Sequence, residues 1–319
     1  MAGRRGIKLD IIRGIGQLNT EKKTAIAVGY FDGMHLGHKE LIHKMLQYAT
    51  EHELIPTILT FDMSELRAEG KGRQDLFPRE YSIDKAEQMG VALYVEIPFG
   101  QIREMSPETF CKTVLADMNG LNAGAVFCGE DFRFGKNRVG SISELSSFGK
   151  AMDFAVHIVD EIYLGDEIIS TSKIKELMAS GQIKRANKML GEPYSIEGEV
   201  VHGNHLAKGM GFPTANILIP ADIMIPKNGV YLTETEFDDM RYRSITNVGT
   251  RPTVTTDIEA TAETHILDFS GDIYGKKIKV RFYEFIRPER KFDSREQLVE
   301  TVLSNINYAI KSQYSLYDT

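Results

Sequence analysis

The secondary-structure pattern of this 319-residue chain changes near residue 187. Before that point, short apolar runs alternate with helical patterns, which is typical of a parallel, doubly wound sheet. After it, β-branched runs follow one another through Gly, Asn and Pro turns with no helical pattern between them, which predicts a small antiparallel barrel or sandwich. The sequence therefore predicts two domains of different class, residues 1–186 and residues 187–319.

The individual elements can be placed from periodicity and caps. Strands are expected at 25–30, 55–61, 91–97, 125–128 and 154–159 in the first half, and at 194–201, 229–237, 241–248, 263–269 and 277–286 in the second. Ser82 is expected to cap a helix that ends at Gly90, and Ser106-Pro107 to open another. Two short helices, 171–179 and 183–190, are expected to join the domains. The closing helix should pack through an apolar face made of Leu298, Val302, Leu303, Ile306 and Ile310.

Composition excludes several classes of protein. No apolar run approaches the roughly 20 residues that span a bilayer, and the first ten residues lack the apolar core of a signal peptide. A net charge of −7 argues against a general nucleic-acid binder. Cys111 and Cys128 cannot form a disulfide framework and are expected to be reduced. We therefore expect a cytoplasmic protein that binds neither membranes nor nucleic acid.

The segment after the first predicted strand carries the first chemical signal. It reads G-Y-F-D-G-M-H-L-G-H over residues 29–38 and enters a helix. Gly29, Gly33 and Gly37 allow close approach of backbone to a ligand, and a helix start binds phosphate through its free N–H groups. His35 and His38 share a face on the first helical turn, where they can donate hydrogen bonds to a polyphosphate and neutralise charge on leaving pyrophosphate. Two other interpretations stay open: a pair of metal ligands, or a structural turn with incidental histidines.

This segment resembles the G-x-F-D-G-x-H-x-G-H signature of the bacterial nucleotidyltransferases. It is most similar to the FMN adenylyltransferase module of bifunctional riboflavin kinase/FAD synthetase. The stretches 129–137 (G-E-D-F-R-F-G-K-N) and 169–175 (I-S-T-S-K-I-K) are similar to two further segments of that family. The resemblance implies a Rossmann-like domain in which His35, His38, Ser172 and Lys173 are catalytic. The substrate-binding residues that it implies are Gly29, Phe31, Asp32, Gly33, Gly37, Asp131, Phe132, Arg133, Asn137, Thr171 and Lys175; for Arg133, a structural role stays equally open.

Two segments depart from the family pattern. The family reads T-F-x-P-H-P after the second strand, whereas residues 60–65 read T-F-D-M-S-E and so lose both prolines and the histidine and gain an acid. Lys175 stands where the family has an arginine, which exchanges a bidentate fork for a point charge. Both departures lie where phosphates of ATP and FMN would be held.

A second signal lies in the other half of the chain. Residues 211–216 read G-F-P-T-A-N and follow a turn-rich loop, 202–209, that could fold over phosphates. Thr214 and Asn216 offer the hard oxygen ligands that Mg²⁺ prefers. On its own, P-T-A-N could also be a loop with Asx-type turn chemistry.

The segments that follow resemble riboflavin kinase in order and spacing across residues 187–319. They are N-G-V-Y (228–231), N-V-G-T-R-P-T (247–253), E-T-H-I-L-D-F (263–269), D-I-Y-G (272–275) and R-P-E-R-K-F (287–292). The resemblance implies a six-stranded antiparallel barrel with a C-terminal helix, in which Glu263 is catalytic and Thr214 and Asn216 hold Mg²⁺. The substrate-binding residues expected here are Gly203, Lys208, Gly211 and Pro213. Ala207 and Lys208 replace a glycine and an arginine of the family.

The residues support the same chemistry independently. A ribityl hydroxyl that attacks a phosphate must lose its proton, so a positioned carboxylate such as Glu263 is useful as a general base. His265 points the same way along the strand and is expected to be a packed, hydrogen-bonded residue. The resemblance implies that riboflavin and ATP give FMN, and that FMN and ATP give FAD and pyrophosphate.

Three alternatives remain at this point. Both folds could be present with one working site, the amino-terminal site being the one impaired; the chain could be a flavin-binding regulator without turnover. An aminoacyl-tRNA synthetase is the third alternative, because such enzymes share the H-x-G-H motif. It is disfavoured because residues 1–186 and 187–319 are both acidic, so the sequence shows no basic RNA-binding domain.

Overall fold

The computed structural model describes residues 8–202, 212–252 and 258–312. Its contacts divide the chain into two compact units. The first comprises residues up to Arg73 together with Pro78–Ile169, and the second comprises Gln74–Phe77 together with the chain from Ser170 onward. Each unit has its own sheet.

The first unit is built on a six-stranded, all-parallel sheet. Its strands are β1 (Asp10–Arg13), β2 (Thr24–Val28), β3 (Ile55–Asp62), β4 (Leu93–Pro98), β5 (Ala123–Gly129) and β6 (Ala155–Val159), and their order is β1-β4-β3-β2-β5-β6. The central strand β2 is buried at every position, as expected for a parallel sheet that is covered on both faces. The Rossmann-like prediction for this half is therefore confirmed.

Helices cover both faces of this sheet. They are α1 (Leu36–Glu51), α2 (Ser64–Ala68), α3 (Arg79–Met89), α4 (Phe99–Ile102), α5 (Pro107–Phe110) and α6 (Ile142–Ala151), with a π-helical turn, Cys111–Ala116, continuing α5. One core cluster joins Ile42 and Met45 of α1 to Ile58. A second cluster joins Leu145 of α6 and Val114 to the opposite face. A separate two-stranded hairpin, β7 (Tyr163–Leu164) with β8 (Glu167–Ile168), follows β6.

Two details of this unit differ from the prediction. The edge strand β1, which pairs with β4, was not predicted, because four residues of mixed polarity carry no clear period. Ser82 does not cap α3: the helix begins at Arg79 after Pro78. Instead, Ser82 is buried within the helix and its hydroxyl donates to the carbonyl of Phe31, 3.0 Å away. The caps at Ser106 and at Gly90 are as predicted.

The second unit is built on a near-closed six-stranded antiparallel barrel. Its strands are β9 (Ser195–Glu199), β10 (Ala215–Ile219), β11 (Gly229–Phe237), β12 (Met240–Pro252), β13 (Ile258–Ile266) and β14 (Lys277–Arg287), in the order β10-β13-β12-β11-β14-β9. An isolated bridge between Val201 and Asn216 brings the two end strands together. The predicted barrel is confirmed, including β10, which periodicity alone did not reveal.

The two faces of this barrel sheet differ in character because side chains alternate along each strand. One face carries fully buried hydroxyl groups, including those of Thr233, Ser244, Thr246 and Thr264, which form a chain of hydrogen bonds 2.8–2.9 Å long. The opposite face carries an apolar cluster that packs against Ala309. These hydroxyl groups satisfy one another, so their burial needs no water.

The closing helix, α9 (Arg295–Lys311), packs on this apolar face. Its predicted contact face is partly wrong: Leu303 is 46% exposed and Ile310 56% exposed, whereas Asn305 and Ala309 are buried. The helix therefore turns its small and polar residues, rather than Leu303 and Ile310, toward the sheet. Arg243 donates hydrogen bonds to the carbonyls of Ala309 and Ile310 at the end of this helix.

The two short helices α7 (Thr171–Ser180) and α8 (Ile183–Leu190) exist as predicted and group with the barrel. The reason is a buried amide: Asn187 donates to the carbonyl of Phe282 on β14 and accepts from the backbone N–H of Tyr194, at 2.7 and 2.8 Å. The boundary at residue 187 stays a prediction about where the second module begins.

Candidate functional site

The turn after β2 places the first candidate site at the carboxyl edge of the parallel sheet. A 3₁₀ turn, Asp32–Met34, leads into α1, and Gly33 adopts φ +82°, a conformation that favours glycine. Phe31 is buried in the core beneath this turn. The turn is thus held from below and leaves the start of α1 at the sheet edge where ligands of such folds bind.

His35 caps α1 and contacts His38. Its Nδ1 accepts from the backbone N–H of His38 at 3.3 Å, and the two rings stack with centroids 3.7 Å apart. A Cβ at Gly37 would lie 3.2 Å from two ring atoms of His35, so this glycine provides the room for the close packing. The pair shares one face of the first turn, as predicted.

The environment of the two rings keeps them neutral. Burial, with a contribution from the charge of Lys39, lowers the pKa of His35 to about 4. Burial, with a contribution from His35, lowers the pKa of His38 well below its usual value. Because Nδ1 of His35 is an acceptor, its proton lies on Nε2. The rings therefore serve as hydrogen-bond donors, and the expected neutralisation of phosphate charge would need a bound anion to raise their pKa first.

The stretch after β5 lies at the same sheet edge, because β5 is the direct neighbour of β2. Phe132 stacks on Phe134 with the rings 10° from parallel, and it packs against the core. Asp131, Arg133 and Asn137 are exposed, and Arg133 donates to the carbonyl of Phe132 at 2.9 Å. The polar side chains of this stretch thus remain accessible to a ligand.

The predicted hydroxyl-and-base residues lie on α7, in the second unit. Ser170 caps this helix by accepting from the backbone N–H of Lys173, so Thr171 and Ser172 form its first turn. Lys173 is paired with Glu176 at 3.0 Å, and Lys175 donates to the carbonyl of Gln74. The turn has the form of a phosphate-binding helix start.

The second candidate site is a cavity of about 270 Å³ on the apolar face of the barrel, beside α9. Two expected site residues, Glu263 and Thr214, line the cavity, and Pro213 precedes Thr214 in the chain. The lining residues are Phe212, Thr214, Val230, Ile245, Asn247, Glu263, His265, Arg287, Glu289, Arg290, Phe292, Leu298, Val302 and Asn305. A lining whose surface is mainly apolar and which brings several polar side chains together is typical of a small-molecule site.

Strand register assembles the polar part of this site. Glu263 on β13 lies directly opposite Asn216 on β10 and Asn247 on β12, so the three side chains form a row across one face. The amide of Asn216 donates to the carbonyl of Thr214 at 3.2 Å. The amide of Asn247 donates to Glu289 at 3.1 Å. The row joins a carboxylate to oxygen-bearing side chains on both neighbouring strands.

Several lining residues had no assigned role in the sequence prediction. The polar ones are Asn247, Arg287, Glu289, Arg290 and Asn305. The first four occur in the N-V-G-T and R-P-E-R segments, which were noted without singling out residues. Asn305 carried no signal, because a polar residue on the buried side of a helix opposes the apolar pattern.

Other expectations have mixed outcomes. His265 is hydrogen-bonded as predicted, since its Nδ1 lies 2.9 Å from the carbonyl of Pro213 and its ring contacts the edge of Phe212. Gly203, Lys208 and Gly211 lie outside the described residues. Among the residues that the structure describes, no three His, Cys, Asp or Glu side chains come together to hold a metal ion. Over the same ranges, no helix has the length and apolar character needed to cross a membrane.

Comparison with known proteins identifies the two halves separately. The FAD synthetase family model matches residues 17–173, and the riboflavin kinase family model matches residues 190–313. Two relatives are each described as a bifunctional riboflavin kinase/FMN adenylyltransferase. The protein from Listeria monocytogenes is 33% identical over 88% of this chain and 89% of its own length. The protein from Bacillus subtilis is 32% identical over 91% of this chain and 93% of its own length.

One solved structure matches nearly the whole chain. It is described as a macrolide-efflux protein from Streptococcus pneumoniae, has a TM-score of 0.85 and 28% identity, and matches over 96% of this chain and 99% of its own. The two family models and the two relatives indicate the same bifunctional family. This chain belongs to the bifunctional riboflavin kinase/FMN adenylyltransferase family.

Proposed function

We propose that the chain catalyses two successive ATP-dependent reactions. The barrel phosphorylates riboflavin to FMN, and the amino-terminal domain transfers an adenylyl group from ATP to FMN, which gives FAD and pyrophosphate. One observation carries the proposal: Glu263 lies in an apolar cavity, with Thr214 in its wall and Asn216 opposite it on the neighbouring strand. A cavity of this kind suits a flat, largely apolar ring that carries a polar chain.

In the kinase reaction, Glu263 acts as the general base. It accepts the proton of the primary ribityl hydroxyl while that oxygen bonds to the γ-phosphorus of ATP, and the bond from this phosphorus to the bridging oxygen breaks to release ADP. The apolar wall, including Val230, Ile245 and Phe292, excludes water from the reacting hydroxyl. Exclusion of water favours transfer to riboflavin over hydrolysis of ATP.

Thr214 and Asn216 are the residues that we assign to Mg²⁺. The hydroxyl of Thr214 and the amide oxygen of Asn216 are hard donors close to the Glu263 carboxylate in the strand register, and this donor chemistry fits the ion. When bound, Mg²⁺ supplies neutralisation of the ATP phosphates. Lys208, Gly203 and Gly211 remain candidates for holding the same phosphates.

In the adenylyl transfer, positioning does most of the catalytic work. The FMN phosphate is already an anionic nucleophile, so its oxygen bonds to the α-phosphorus of ATP as pyrophosphate leaves, with no proton to remove. We assign His35 and His38 to hydrogen bonding of the ATP phosphates at the start of α1, with Ser172 and Lys173 assisting. The turn is shaped by Gly29, Asp32, Gly33 and Gly37, and Phe31 supports it from the core. We assign contacts with the substrates to Asp131, Phe132, Arg133, Asn137, Thr171 and Lys175. We place both reactions in the cytoplasm.

The test is product analysis with purified protein. Riboflavin, ATP and Mg²⁺ should give FMN first and FAD later, and FMN with ATP and Mg²⁺ should give FAD with equimolar pyrophosphate. FMN as the final product would restrict the chain to one working site. No product from either flavin would leave a binding protein without turnover.

A further inference from the structure

The segment that departs from the family pattern forms an ordered helical turn at the first site. After β3, the carboxylate of Asp62 accepts from the backbone N–H and the hydroxyl of Ser64, at 2.8 and 2.9 Å, and so forms an Asx-type turn that leads into α2. Asp62, at the variable position of the family pattern, therefore has a structural role. Loss of the family's prolines and histidine leaves a defined backbone in this chain.

The end of α2 fixes the position of Arg67. Gly70 adopts φ +71°, and the backbone N–H groups of Lys71 and Gly72 then bond to the carbonyl of Leu66 at 2.9 and 3.0 Å. A Cβ at Gly72 would lie 2.8 Å from the Arg67 Cα, so the chain returns tightly against this residue. The backbone of Arg67 is thus packed closely against the returning chain at Gly72.

The side chain of Arg67 reaches the glycine- and histidine-containing turn. Its Nη1 donates to the hydroxyl of Tyr30 at 3.3 Å, and both side chains are partly buried. Tyr30 lies between Gly29 and Phe31, at the carboxyl edge of the parallel sheet. A guanidinium has five N–H donors in a planar fork that matches a phosphate.

The charges of the side chains at this sheet edge also bear on how a phosphate would bind. The two histidines of the turn are neutral at pH 7, as described above, and bring donors without charge. Asp32 and Asp62 add negative charge near the same edge. A bound polyphosphate is stabilised by nearby cations. Lys39 supplies one beside His35, and an arginine would add a second charge that stays protonated at every working pH.

We propose that Arg67 binds a phosphate of the adenylyl-transfer substrates, held in place by the Tyr30 hydroxyl, and so replaces the lost histidine of the T-F-x-P-H-P segment. This inference rests on the proposed adenylyl transfer. The phosphate could belong to ATP or to FMN, and the two sources differ in which Michaelis constant responds.

The test compares four variants of the full-length protein. Arg67→Gln removes the charge, Arg67→Lys keeps the charge without the fork, and Tyr30→Phe removes the anchor. Arg103→Gln is the matched control, because it removes one positive charge from the same unit, where Arg103 lies 4.0 Å from Glu69. The riboflavin kinase rate of each sample reports its concentration, and the urea midpoint of the first unit reports correct folding of the unit that carries the substitutions. FAD formation from FMN is measured with ATP varied and then with FMN varied.

We expect Arg67→Gln to lower kcat/KM of FAD formation by about 10–100-fold, the range for loss of a charge-assisted hydrogen bond. Arg67→Lys and Tyr30→Phe should lose less, and Arg103→Gln should match the wild type. A raised KM for ATP alone assigns the contact to ATP, and a raised KM for FMN alone assigns it to FMN. Values for Arg67→Gln within twofold of Arg103→Gln would overturn the inference.

A binding measurement separates this inference from the proposed function. If the wild type makes no FAD, the proposed transfer fails, and calorimetric titration of each variant with ATP and with FMN then decides on Arg67. Loss of one class of sites in Arg67→Gln, with the sites retained in Arg103→Gln, supports the contact. Identical isotherms for the two variants contradict it.

Discussion

The neutral state of His35 predicts a specific loss of stability in acid. The pKa of this ring is lowered from 6.5 to about 4 by burial and by Lys39. In the unfolded chain the His35 ring is protonated with a pKa of 6.5, whereas in the folded chain it is protonated with a pKa of about 4. The contribution to stability is therefore complete above pH 6.5 and is lost as the pH falls from 6.5 toward 4.

The size of the effect follows from the two pKa values. At 1.36 kcal/mol per pKa unit, the whole difference amounts to about 3 kcal/mol. Between pH 7.5 and pH 5, the part that is lost is about 2 kcal/mol. His35→Asn is the matched variant, because asparagine still caps α1 through its side-chain oxygen but does not titrate.

Two NMR measurements check this reasoning. The Cε1–H signal of His35, assigned by its absence in His35→Asn, should titrate near pH 4, and added ATP should move the midpoint upward. Urea unfolding, followed through methyl signals of Ile26 and Ile58 in the first unit, should show that the wild type loses about 2 kcal/mol more than His35→Asn between pH 7.5 and 5. A midpoint near 6.5, or equal losses in both proteins, would refute the account of a buried neutral pair.

Two further predictions concern stability and reactivity. Gly33→Ala should lower the unfolding free energy of the first unit by about 1–2 kcal/mol, because φ is +82° there; an unchanged urea midpoint would contradict this. Cys111 and Cys128 are fully buried, and burial raises the pKa of each thiol to about 12. A thiol reagent at pH 8 should therefore label neither in the folded protein and both after unfolding, and labelling of the folded chain at the rate of a free thiol would show that the burial is wrong.

The sequence supports the architecture well where periodicity and turns are strong. Strand β11 and the helix start at Ser106 were predicted to the residue. The weak elements were missed or misplaced for physical reasons. Strand β1 has only four residues at a sheet edge, and Ser82 had the composition of a cap but lies inside α3 because Pro78 begins the helix earlier.

Site prediction followed the same rule. Motifs placed His35, His38, Glu263 and Thr214 in positions where the structure gives them neighbours and a cavity. Motifs could not show that the two rings are neutral, since burial depends on packing from distant segments. They also could not show Arg67, because its contact with Tyr30 spans 37 residues and lies in a segment where the family pattern is lost.

The central claim is that two separate sites act in sequence, and one measurement tests it most directly. Glu263→Gln removes the general base but keeps the size of the side chain, and this variant is given riboflavin or FMN with ATP and Mg²⁺. We expect FMN formation to fall by about 100–10,000-fold, while FAD formation from FMN stays at the wild-type rate. Undiminished phosphorylation of riboflavin, or parallel loss of both activities in a folded protein, would contradict the account.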